Sequence, residues 1–179
     1  MKRSAPCETQ TMQRRRLLKL GLASTAVLLV AGGAAALLEP GLARGALSPL
    51  GREVFAAVGR AVLDKTLPTE PGAREIALND LLARIDTLVG ALPPHAQGEL
   101  SQLLSLLGSA AGRRTLAGLS APWAEASVAE VQEALQGMRI STLGLRQQAY
   151  AALHDIAAGA YFSDPASWPL LGYPGPLKI

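Results

Sequence analysis

The chain has 179 residues, a formal net charge of +3 and a single cysteine. Its charge is unevenly placed: residues 1–46 hold seven Lys or Arg against two acids (+5), and residues 47–179 hold ten against twelve (−2). The body therefore has no basic stripe to neutralise phosphates, which argues against nucleic-acid binding. Cys7 lies outside the body, so disulfides, thiol catalysis and cysteine-ligated metal are excluded there.

The first feature along the chain is Arg14-Arg15-Arg16-Leu17-Leu18-Lys19, followed by nineteen uncharged residues, Leu20 to Leu38. It resembles the twin-arginine export consensus of a Ser or Thr, two arginines, any residue, then Phe-Leu-Lys. Arg14 and Arg15 stand as the pair and Leu18 and Lys19 as the last two positions. Leu17 replaces Phe, and Gln13 replaces the Ser or Thr. Such a leader is a receptor-read address for a route that carries folded cargo, with the twin-arginine translocase as partner and the periplasm as destination. An ordinary secretory signal or a simple membrane anchor shows the same basic-then-apolar layout. The apolar run approaches the length that crosses a bilayer, with its positive flank in the cytoplasm. A small-x-small processing pattern occurs at Gly41-Leu42-Ala43 and at Ala43-Arg44-Gly45. Release after cleavage and retention in the inner membrane by residues 20–38 both stand.

Residues 47–160 read as helical. Ser48 caps a first helix with Pro49 at its first position, and Leu50, Val54, Phe55, Val58 and Val62 share one face. Residues 67–72 predict a loop around Pro68 and Pro71. A second helix carries Leu78, Leu81, Leu82, Ile85, Leu88, Val89 and Leu92 up to Pro93-Pro94. A third carries Leu100, Leu103, Leu104 and Leu107, then loosens at Gly108 and Gly112 into a turn around Arg113, Arg114 and Leu116. Ser127-Val128-Ala129-Glu130 is a capping box opening a helix with Val128, Val131, Leu135 and Met138 on one face. A kink near Gly137 and Ile140 precedes a restart at Ser141 or Thr142, and Leu145, Ala149, Leu153, Ile156 and Ala160 form the last stripe. No segment shows sustained strand alternation. The expected fold is all-α, a compact bundle of four to six helices behind an N-terminal signal or anchor helix at 1–46. A body of about 133 residues buries roughly two-thirds of its unfolded surface and needs no staple.

Residues 161–179 break the pattern. Four of the chain's seven aromatic residues fall between Tyr161 and Pro176, interleaved with prolines. Asp164-Pro165 predicts one short helical turn. Rigid aromatic and proline surface suits a lid on the bundle or a docking segment.

The tail Tyr161…Asp164-Pro165…Trp168-Pro169…Gly172-Tyr173-Pro174-Gly175-Pro176, behind this leader and a helical body of this size, resembles the gluconate 2-dehydrogenase subunit 3 family. Pro122-Trp123-Ala124-Glu125-Ala126-Ser127 adds to the resemblance, and the rest of the middle is similar only in pattern. The resemblance implies a small helical subunit of a membrane-associated flavin dehydrogenase. Its large partner is a flavoprotein of the glucose–methanol–choline class that crosses the membrane on the small subunit's leader. A cytochrome subunit of the same complex is a further implied partner. No catalytic, cofactor-binding or metal-binding residue is carried over, because the chemistry sits on the flavoprotein.

The remaining chemical candidates are few. His95, after Pro93-Pro94, reads as a solvated or capping residue. His154 adjoins Asp155, but helical neighbours point about 100° apart, which predicts no hydrogen bond between them. A haem between Met138 and His154 lacks a Cys-x-x-Cys-His motif. No nucleophile elbow, phosphate-binding loop, dinucleotide fingerprint or His-Glu-x-x-His is present. Trp123 beside Pro122 predicts a core plug, and Arg113-Arg114 either an exposed helix end or a receiver for a partner's acidic patch. The leading expectation is an export escort and assembly subunit whose interface includes Tyr161, Trp168, Tyr173 and Pro174. The alternative is an independent helical periplasmic protein that binds a small molecule or haem.

Overall fold

In the computed structural model of the chain the described residues are 39–175. The export-signal positions Arg14, Arg15, Leu17, Leu18 and Lys19 and the apolar run 20–38 lie outside them. The described part opens with a hairpin that sequence patterning does not predict, β1 (Leu42–Ala43) paired antiparallel with β2 (Ala46–Leu47). Two residues per strand are too few for alternation to register. Residues 39–46, grouped with the leader on sequence, belong to the folded unit that begins at Glu39.

Helix α1 (Pro49–Val62) starts as expected, with the Ser48 hydroxyl accepting from the Gly51 N–H at 3.1 Å and Pro49 in its first turn. It is the hub of the fold, packing against all four other long helices. Its Val54, Phe55 and Val58 are fully buried. Helix α2 (Pro71–Gly90) starts earlier than the expected loop at 67–72 allows. Glu70 acts as its cap, one carboxylate oxygen accepting from Gly72 N–H at 3.0 Å and the other from Ala73 N–H at 2.5 Å. Pro71 therefore starts a helix because its missing N–H costs nothing there.

Helix α3 (Pro94–Gly108) is followed by a single turn, Ala110–Gly112, which runs into a π-helical segment, Arg113–Ala117. Gly118 closes that segment at φ +79°, and Leu119 N–H returns to the Arg113 carbonyl at 3.0 Å. Helix α4 (Val128–Arg139) has the predicted capping box with both reciprocal bonds present. The expected kink near Gly137 is instead a full break at 140–143: Gly137 stays inside α4, and α5 (Gly144–Phe162) is entered through Leu143. Ser141 contributes by accepting from Leu143 N–H rather than as the cap residue itself.

The last stripe is also shifted. Leu145 is 44% exposed, and Ala149, Leu153, Ala157 and Ala160 form the buried face of α5. Three alanines there let α5 lie close to its neighbours. Trp123 is the predicted plug, 2% exposed with its indole N–H donated to the Leu107 carbonyl at 2.8 Å. Apart from Trp123 and Phe55 the buried core is aliphatic, with Leu81, Ile85 and Val89 from α2, Leu104 and Leu107 from α3, Val131 and Met138 from α4 and Leu153 from α5. Among the described residues no helix is long and apolar enough to cross a membrane.

Candidate docking surface at the C-terminal tail

Beyond α5 the chain turns into a 3-10 helix, Pro165–Leu171. Asp164 starts it, as the Asp-Pro pair predicts, with its carboxylate accepting from Ala166 N–H at 2.9 Å. The same carboxylate meets Arg84 of α2 at 3.2 Å, and Arg84 Nε also donates to the Ala160 carbonyl at 3.1 Å. Ser167 is buried and donates to the Asp164 carbonyl at 2.7 Å. These contacts pin the start of the tail to the bundle. Arg84 escapes sequence reasoning because it lies 80 positions from its partner.

From Trp168 onward the tail packs on itself. The Trp168 indole N–H donates to the Phe162 carbonyl at 2.9 Å. Its ring meets Tyr173 edge-on, with centroids 5.3 Å apart. The chain bends back through Gly172 at φ +67°, where a residue bearing a Cβ would be strained. Gly175 then approaches the indole closely. Pro165, Trp168, Pro169, Gly172, Tyr173 and Pro174 line a shallow open depression of about 350 Å³. Trp168 is half-buried, Tyr173 is 47% exposed and Pro174 is exposed.

Three of the four predicted interface residues, Trp168, Tyr173 and Pro174, thus share one surface. Tyr161 does not. It packs against the core and its hydroxyl reaches the Thr66 carbonyl at 3.4 Å. Its ring belongs to the body because it sits on α5, one turn before the chain leaves the bundle.

The other candidates fall as follows. His95 is exposed in the first turn of α3. His154 and Asp155 do form a hydrogen bond, Nδ1 to Oδ1 at 3.1 Å, contrary to the expectation from helical phase. Side-chain torsions bring the two heads together although the Cα–Cβ vectors diverge. The pair is solvated, its carboxylate 76% exposed, and the imidazole stacks on Tyr150 one turn earlier. Met138 lies in the packed core while His154 is at the surface, so the two do not face one pocket. Arg113 is buried, not at an exposed helix end, and its Nη2 donates to the Ser120 carbonyl at 3.4 Å; Arg114 is exposed. Among the described residues no cluster of three or more His, Cys, Asp or Glu is arranged to hold a metal. Comparison with protein-family models, with curated proteins and with solved structures finds no match to this chain.

Proposed function

We propose that this protein is a non-catalytic small subunit that escorts a flavin-dependent dehydrogenase of the glucose–methanol–choline class through twin-arginine export and supports its assembly. The observation that carries the proposal is the tail: a braced surface of Trp168, Tyr173 and Pro174 set outside the core that holds the bundle together. Aromatic residues are the commonest interface anchors. The leader supplies the second support, because a route for folded cargo is explained when the cargo is a cofactor-loaded partner. The chemistry is assigned to that partner, and this chain contributes the address, the docking surface and, where its apolar run is retained, a tether.

The neighbouring reading frames give the first test: a large flavoprotein without a leader of its own is expected there, and its absence would count against the reading. Co-expression with it, followed by a pull-down, is the second. Trp168→Ala and Tyr173→Ala are expected to lose the partner, since truncating an anchor typically costs ~2 kcal/mol, about a thirtyfold loss of affinity. Folded variants that retain the partner at full strength would refute the docking surface. A chain that captures no flavoprotein and retains a haem or small ligand on purification would favour an independent binding protein.

A further inference from the structure

Both small-x-small patterns, Gly41-Leu42-Ala43 and Ala43-Arg44-Gly45, fall within the hairpin that precedes α1. That hairpin is bound into the bundle at both ends. Gly41 is buried, and its N–H donates to Ser105 Oγ at 3.0 Å and to the Ser101 carbonyl at 3.3 Å. Its carbonyl accepts from Ser48 N–H at 3.1 Å, the residue that caps α1. A Cβ on Gly41 would run into the Cβ of Leu104, and one on Gly51 into the Gly41 carbonyl. The two glycines therefore mark a seat where backbone lies directly on helix. Leu42 N–H donates to Ser101 Oγ at 3.1 Å. At the other end Leu47 is buried and its N–H donates to Asp86 Oδ1 at 2.8 Å, while Asp86 Oδ2 pairs with Arg52 at 2.6 Å.

Between these anchors Leu42 pairs with Leu47 and Ala43 with Ala46, around a two-residue turn in which Arg44 and Gly45 have φ of 54° and 78°. Positive φ at both central positions is the requirement of a type I′ turn, whose twist matches the strands. A peptidase binds its substrate as an extended strand. Cleavage at either pattern would need the pairing opened and Gly41 and Leu47 lifted from their seats, stranding Ser105 and Asp86. Susceptibility to nicking follows the burial and hydrogen bonding of the affected backbone, not its position in the sequence.

We infer that the hairpin is a clasp that protects the peptide bonds after Ala43 and Gly45, so that the mature chain keeps residues 39–47. Where the leader is removed, the cut then falls upstream of Glu39, where Ala34-Ala35-Ala36 also offers small-x-small spacing. The biological setting rests on the export reading, in which the chain reaches the peptidase already folded. The protection itself rests on the hairpin alone.

The test uses the purified full chain in detergent with a bacterial leader peptidase, read by N-terminal sequencing and intact mass. The wild type is expected to yield no chain beginning at Arg44 or Ala46. Gly51→Val, whose side chain runs into the Gly41 carbonyl and so unseats the clasp while leaving both patterns intact, is expected to yield one or both. A wild-type chain cut at either bond as fast as the variant would overturn the inference, and so would equal resistance of the two. Hydrogen exchange on the untreated wild type gives a reading independent of the variant's folding. The Gly41, Leu42 and Leu47 amides should exchange at least about a hundredfold more slowly than unstructured amides, and free exchange there would overturn the clasp. Because neither readout involves transport, a failure of the export reading appears separately, in fractionation.

Discussion

The two tryptophans should respond to truncation in opposite ways. Trp123 is fully buried with its indole N–H satisfied inside the core. Its replacement by Ala opens a large cavity and leaves the Leu107 carbonyl without a partner, a cost of about 3–5 kcal/mol. For a folded unit of this size that lowers the midpoint of thermal unfolding by roughly 10 °C or more. Trp168 is half-buried and its contacts are local: the Phe162 carbonyl, the Tyr173 ring and Gly175. Truncation forfeits a hydrogen bond of about 1 kcal/mol, an aromatic pair of about 1 kcal/mol and roughly 1 kcal/mol of partial burial. About 3 kcal/mol is enough to fray the tail, yet little of it is shared with the core. Trp168→Ala is therefore expected to leave the bundle's midpoint within about 2–3 °C of wild type, while protease releases the tail and amides beyond Asp164 exchange faster. Calorimetry with hydrogen exchange reads both effects. If Trp168→Ala lowers the midpoint as far as Trp123→Ala does, the tail is a lid on the core and the separation of docking surface from fold is refuted.

Ser127→Ala removes one half of the α4 capping box and is expected to destabilise the bundle by about 1 kcal/mol, read from denaturant titration at unchanged slope. Acid should weaken two helix starts. The Ala73 and Gly72 amides hold the Glu70 carboxyl below the ordinary range, and the Ser127 hydroxyl and then its amide do the same for Glu130. Because these folded values lie below the unfolded ones, the stabilisation is complete above the ordinary carboxylate value of about 4.3 and is lost as pH falls through the lowered values. A Glu70→Gln, Glu130→Gln double variant should therefore lose stability less steeply than wild type over that acid window, and identical acid slopes would show that the caps contribute nothing there. Replacing Arg14 and Arg15 with Lys should strand the chain in the cytoplasm; fractionation that finds undiminished export would point to the general secretory route.

The long helices are legible in the sequence because each carries an apolar face at helical spacing, and some also carry a start signal. Ser48-Pro49, the Ser127–Glu130 box and Asp164-Pro165 all act where their local chemistry places them. The misreadings arise where a local signal has two outcomes. Pro71-Gly72 reads as a breaker, but Pro is equally at home in a first turn once Glu70 supplies the cap. Leu145 fits the stripe by spacing, yet it lies in the first turn of α5, and the buried face is set further along the helix by Ala149 and Leu153. The Arg84–Asp164 and Asp86–Leu47 contacts join positions far apart in the chain, and no periodicity reports them. Of the docking surface, Trp168, Tyr173 and Pro174 are visible as composition. Only the turn at Gly172 shows that they meet and that Tyr161 stays with the core.

The proposed docking role is compatible with the way the bundle is built. Since α1 touches every other long helix, Val54, Phe55 and Val58 are buried at the centre of the bundle. The tail's own polar groups are satisfied before the aromatic surface begins: Asp164 by Arg84, Ser167 by a carbonyl, Trp168 by Phe162. A partner that covers Tyr173 and Pro174 need not compete with any bond that holds the bundle. The Trp168–Tyr173 pair and the bend at Gly172 also fix the surface before contact, which lowers the ordering cost that a flexible tail would impose on binding. The same division applies at the other end of the described chain. There the clasp is held by Ser101, Ser105 and Asp86, so the segment before Glu39 is joined to a folded anchor rather than to a frayed helix start.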